Sequence, residues 1–145
     1  MLSKEVKSMA RAIGMVELTT VSTGFKAADD MSKAADVDIL QAEVTCPGKF
    51  VVLIAGDLSA VRASVDSVKG RYGDKVIDTF VLGNPHDSIF PAIYGTNQVE
   101  KIEALGILET YDVSALIVAA DHAAKTAIVD LLELRLAKVC VERVI

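Results

Sequence analysis

Residues 12–20 form an apolar and β-branched run, the pattern of a buried strand. The period then changes. Across 24–35, Phe25, Ala28, Met31 and Ala35 return at helical spacing while Asp29, Asp30 and Lys33 suit the outer side, with Ser22 or Thr23 placed to cap the helix. Residues 37–44 alternate as a half-buried strand until Cys46-Pro47-Gly48 breaks the pattern, and 50–55 is a second buried strand. After the Gly56-Asp57 turn, Leu58–Tyr72 reads as an amphipathic helix with Val61, Val65 and Val68 inward, and 75–82 as a fourth strand. The predicted order is strand, helix, strand, strand, helix, strand. That is an α+β, ferredoxin-like (split βαβ) sandwich with both helices on one face of an antiparallel sheet.

Pro85 and Pro91 then bracket a short turn or helix, and 94–103 is polar enough to act as a linker. Beyond it the pattern restarts. A constant offset of 92 residues, Ala12 to Ala104, aligns 12–40 with 104–132 without a gap and with identity at thirteen positions. The identities include Gly14/Gly106, Glu17/Glu109, Ala27-Ala28-Asp29/Ala119-Ala120-Asp121 and Lys33/Lys125. The second copy predicts a strand reaching Tyr111, a helix over 112–127 and a strand over 129–137. Its third strand, second helix and fourth strand are not expected. The copy is therefore read as truncated or completed by a neighbour, with 139–145 as a short replacement strand, because a half-unit leaves an open edge and an uncovered apolar face. The organisation read from this is an extension at 1–11, a first domain at 12–94, a linker at 95–103 and a partial second domain at 104–145.

Charge and composition narrow the function. The chain has 20 acidic against 15 basic residues among 145 and a formal charge of −5, with no Lys/Arg block, so no nucleic-acid footprint is expected. Hydrophobic residues make up 52%, yet no run approaches the roughly 18 consecutive apolar residues of a membrane span, so part of this surface is expected between subunits. The first residues lack the apolar core of a secretory signal, which predicts a cytoplasmic protein. Cys46 and Cys140 are too few for a disulfide framework. His86 and His122 sit in no metal or catalytic motif, Glu17 and Glu109 read as structural carboxylates of a repeated strand, and no nucleophile elbow or phosphate loop occurs. The chain is not expected to be an enzyme.

The segments Ala12-Ile13-Gly14-Met15-Val16-Glu17, Ala27-Ala28-Asp29-Asp30-Met31-Ser32-Lys33 and Val52-Leu53-Ile54-Ala55-Gly56-Asp57 resemble the signature of the bacterial microcompartment (BMC) shell domain. The repeat, together with Thr45-Cys46-Pro47-Gly48-Lys49-Phe50, is similar to the tandem-domain members of that family. The resemblance implies a homotrimer shaped like a hexamer, six domains around a central pore, tiling with other shell proteins into a microcompartment facet in the cytoplasm and serving encapsulated redox enzymes. It also implies that the loop cysteine, Cys46 here, lines the pore, and that three copies hold one 4Fe-4S cluster. Lys33 and Lys125 match the family's edge lysines between tiles. Two departures stand out: the short second copy, and Gly83-Asn84 where many single-domain relatives carry an edge arginine.

A single cysteine cannot hold such a cluster, since clusters are bound by several thiolates, but a threefold axis presents every residue three times. Pro47 and Gly48 suit a loop that brings sulfur close to an axis, and Lys49 adds positive charge that favours a thiolate and offsets an anionic cluster. The plainer reading makes Cys46 a small residue in a strand-ending turn and the two lysines solvated helix residues. Cys140, in Val139-Cys140-Val141, reads as a packed strand cysteine. Three functions follow: a shell tile whose pore cluster transfers electrons or gates the opening, a shell tile with a plain metabolite pore, or a ferredoxin-like regulatory domain binding a metabolite between subunits.

Overall fold

Strand β1 (Ala12–Leu18) is buried at every position, as an apolar run must be when strands flank it on both sides. It pairs antiparallel with β3 (Lys49–Gly56) and with β4 (Val76–Gly83), and β2 (Val37–Thr45) pairs antiparallel with β3, giving the order β2-β3-β1-β4. Helices α1 (Val21–Ala34) and α2 (Leu58–Tyr72) cover one face. There Ala12, Val16, Leu18, Phe50, Val52 and Ile54 form a single core with Ala27, Ala28, Met31, Val61, Val65 and Val68. This is the ferredoxin-like α+β arrangement read from the sequence. The computed structural model describes residues 12–99, 102–136 and 142–144, and the chain divides after Asn84 into two units.

Two details of α1 differ from the sequence pattern. The helix starts at Val21 with Thr20 at its N-cap, and the Thr20 hydroxyl donates to Thr23 Oγ1 at 2.8 Å, so neither Ser22 nor Thr23 caps it. Phe25 points outward, 64% exposed, because the inward position belongs to Gly24: a Cβ there would lie 2.2 Å from the Phe50 ring. Phe25 instead leans its ring on Phe50, centroids 4.9 Å apart. Helix α2 has the predicted bounds, with the Asp57 carboxylate accepting from Ser59 N at 3.3 Å as its cap.

The second unit holds α3 (Ile89–Ile93), β5 (Leu108–Thr110), α4 (Val113–Thr126), β6 (Leu134–Arg135) and β7 (Glu142–Val144), with strand order β5-β7-β6. The strand predicted over 129–137 shrinks to two residues. Val129 N bonds back to Ala127 O at 3.1 Å, and among the described residues β6 pairs with β7 at Leu134 and Arg135. The replacement strand expected over 139–145 is present as β7, but its register corrects the reading. Leu108 faces Val144 as Val16 faces Val52, and Leu134 faces Val144 as Ala42 faces Val52. The offset of the repeat therefore persists through β7, which occupies the place of β3. It is the third strand of the repeat rather than a substitute for it. Of its three residues only Val144 matches, with Val52, while Glu142-Arg143 stand for Phe50-Val51, yet the pairing remained.

Candidate functional site

Cys46, Pro47 and Gly48 form the whole connection between β2 and β3, so the loop is held by a registered strand pair on each side of it. Thr45 pairs with Lys49 across the turn, and Gly48 N donates to Thr45 O at 2.9 Å. The Cys46–Pro47 peptide is cis, and Gly48 adopts φ 104°, a left-handed conformation that glycine takes without steric cost. A Cβ on Gly48 would meet nothing within 4 Å. Cys46 is half-buried and in no disulfide. The hydroxyl of Thr45, just before it, is buried with no hydrogen-bond partner among the described residues.

Lys49 begins β3, and its ammonium lies 2.5 Å from Glu17 Oε1. Glu17 stands opposite Val51 in the register, so Lys49 is its diagonal neighbour on the same face. Glu17 is thus structural, as read from the sequence. The positive charge assigned to Lys49 beside the thiol is, however, matched by a carboxylate whose side chain is only 6% exposed. This lysine fastens the root of the loop more than it sets the field at its tip, a role sequence reading missed because the partners are far apart in the chain.

Lys33 and Lys125 occupy equivalent places on α1 and α4 in different surroundings. Lys33 pairs with Asp29 at 2.5 Å, both groups largely in water. Lys125 pairs with Asp121 at 2.7 Å, but that carboxylate is 8% exposed and also accepts from His86 N at 2.6 Å. His86 has the structural role expected of it, with Nδ1 2.7 Å from Ser88 Oγ. The polar segment after α3 is not a loose linker at its start, since Asn97 Nδ2 donates to the carbonyls of Ser88 and Leu131. At the end of β4, Asn84 adopts φ 54°, a left-handed conformation that asparagine tolerates better than most residues.

Cys46, Pro47, Gly48 and Lys49 are therefore contiguous on one turn, while Lys33 and Lys125 lie elsewhere, one in each unit. Cys140 lies outside the described residues. Among the described residues no three His, Cys, Asp or Glu side chains of one chain gather to hold a metal. A thiol on a turn with open space at Gly48 fits a cluster only where further chains supply sulfur.

The BMC domain pattern matches residues 12–85 and 104–142. The chain is 43% identical over 129 residues to the bacterial microcompartment shell protein PduT of Citrobacter freundii, covering 89% of this chain and 70% of that one. It is 36% identical over 85 residues to the carboxysome shell protein CcmK1 of Thermosynechococcus vestitus, covering 56% and 75%. A solved microcompartment protein from Desulfitobacterium hafniense superposes with a TM-score of 0.85 at 45% identity, over 92% of this chain and 75% of that one.

Proposed function

The chain belongs to the BMC domain family, and we propose that within it the chain is a pore-bearing tile whose Cys46 loops, one from each of three copies, meet on a common axis and hold a 4Fe-4S cluster. It is a structural shell protein of a bacterial microcompartment, not an enzyme. Three chains, each contributing a first domain at 12–94 and a second at 104–145 joined by 95–103, would build the pseudohexameric ring. Lys33 and Lys125 would lie at its seams with other shell proteins, and encapsulated redox enzymes would be its clients.

The observation that carries this reading is the position of the Cys46 thiol. Cys46 is on the turn of a hairpin whose strands pair right up to it, Val44 with Phe50 and Thr45 with Lys49, so its sulfur is preorganised rather than carried on a wandering loop. One Cys46 thiol per chain becomes three under threefold symmetry. Glu17 and Lys49 hold the root of the turn, and Gly48 lets the chain reverse beside the sulfur. When bound, the cluster supplies one-electron redox chemistry, with three Cys46 thiolates as protein ligands and its fourth iron open to a small ligand.

Anaerobic purification with native mass and iron analysis tests the proposal. Three chains with about four irons, a brown colour bleached by reductant, and loss of iron and colour in Cys46→Ser are the expected results. Failure of anaerobic reconstitution with iron and sulfide, or iron retained by Cys46→Ser, overturns the cluster. Unchanged assembly and transport in an iron-free protein and its Cys46→Ser variant would leave a plain metabolite pore.

A further inference from the structure

Lys49 is the basic residue nearest Cys46 in the sequence, and strand register decides where its charge goes. It opposes Thr45 at the mouth of the turn, and Cys46 follows Thr45 directly. Opposed strand residues and sequence neighbours have such short Cα separations that Cys46 and Lys49 lie within about 10 Å of one another, no more than the Debye length at ~0.1 M salt. At that range a bare ammonium governs which ions collect beside the thiol.

Glu17 draws this ammonium the other way. The carboxylate opposes Val51, further from the turn along β3 than Lys49, and Lys49 Nζ crosses to its Oε1 at 2.5 Å. Glu17 stands on an inner strand with its side chain 6% exposed, against 29% for the lysine, so the acid is the fixed partner and the lysine the one that reaches. The positive charge is thereby both displaced from Cys46 and cancelled.

Threefold symmetry repeats this arrangement around one axis. Three bare ammonium groups beside three Cys46 turns would make a positive ring, repelling ferrous ion and collecting small anions. Three ammonium–carboxylate pairs make no such ring. We propose that Glu17 sets the charge at the Cys46 turns: by holding Lys49 back it opens the axis to cationic iron and denies it to anions. Glu17 acts through Lys49, as a positioning residue. The inference rests on the reading that the Cys46 turns meet on a common axis.

The test uses the full chain freed of iron and two alkylating probes, neutral iodoacetamide and anionic iodoacetate, with the Cys46 peptide quantified by mass spectrometry. Both probes consume the same thiolate, so the ratio of their rates cancels the thiolate fraction and reports the local field. In the parent the iodoacetate to iodoacetamide ratio should be no higher than that of a free cysteine peptide. Glu17→Gln keeps the side-chain shape and should raise the ratio about threefold at low salt, a gain that added salt removes. Glu17→Gln with Lys49→Met should return it to the parent value. Reconstitution with ferrous ion and sulfide should be slower in Glu17→Gln than in the parent. A parent ratio well above that of the free peptide and abolished by salt overturns the proposal without any variant having to fold. So does a ratio unmoved in folded Glu17→Gln, or reconstitution at the parent's rate despite a raised ratio. Ratios that behave as stated in proteins that take up no iron would sink the cluster and leave the charge-setting role of Glu17 standing. Equal iron uptake with unmoved ratios would sink that role alone.

Discussion

Lys49 Nζ reaches Glu17 Oε1 at 2.5 Å, a diagonal pair on neighbouring strands that ties the root of the Cys46 turn to the central strand of the sheet. Because the carboxylate is almost wholly withdrawn from water, Lys49→Met strands a buried charge and should cost about 3 kcal/mol. Glu17→Gln with Lys49→Met removes both charges and should recover most of that loss. Urea unfolding of the four members of the cycle measures it. A pair that is merely additive would show that the two charges do not stabilise one another.

Gly24 lies under Phe50 so closely that an added Cβ would sit 2.2 Å from the ring. Gly24→Ala improves helix propensity, yet the clash should dominate, at about 3 kcal/mol. Combined with Phe50→Ala, the two losses should sum to less than their separate values, since the second change removes the atoms that the first collides with. Melting of the single and double variants reads this directly.

The repeat, the order of elements in the first unit and the bounds of α2 were all legible in the sequence, because each rests on local periodicity or on identity between copies. What was not legible lies in contacts between distant segments. The Glu17–Lys49 pair is set by register, and the inward place of Gly24 over Phe25 is set by the volume of Phe50. β7 escaped as the third strand of the repeat because Glu142-Arg143 share no identity with Phe50-Val51, and hydrogen bonding across a sheet does not require it. The Cys46 turn was found by composition, but the burial of the carboxylate facing Lys49 was not.

Helices α1 and α2 are clasped by Asp30, which accepts from the Tyr72 hydroxyl and pairs with Arg71 at 2.7 Å. The Tyr72 hydrogen bond, aided by Arg71, holds the Asp30 carboxyl below its ordinary range, against an opposing effect of burial. Its stabilisation is therefore present above the carboxylate range and lost as pH falls from about 4 through the lower folded value. Burial, then the bond to Asp30, pushes the Tyr72 phenol up. That contribution is present below the tyrosine range and lost as pH rises from about 10 through the higher folded value. Tyr72→Phe should flatten the alkaline limb of a stability profile and shallow the acid one, while Asp30→Asn should abolish the acid contribution. Denaturant midpoints across pH supply the profile.

Lys33 and Lys125 look interchangeable in the repeat, yet their environments predict different failures. Lys33 and Asp29 are both well exposed, so Lys33→Ala should change stability by no more than about 0.5 kcal/mol. Any loss of extended sheets seen by electron microscopy would then report an edge contact alone. Lys125 serves a carboxylate that is 8% exposed and also holds the His86 backbone. Its removal leaves Asp121 short of a cation, and Lys125→Ala should destabilise the second unit by about 2 kcal/mol before assembly is considered. Asp121→Asn with Lys125→Ala keeps an acceptor for His86 N without the charge, and should restore stability but not sheet formation if Lys125 also bridges tiles. Sheets that return with stability would confine Lys125 to its own chain and leave Lys33 as the sole edge lysine. Equal destabilisation by the two single variants would instead mean that the burial of Asp121 carries no energetic consequence.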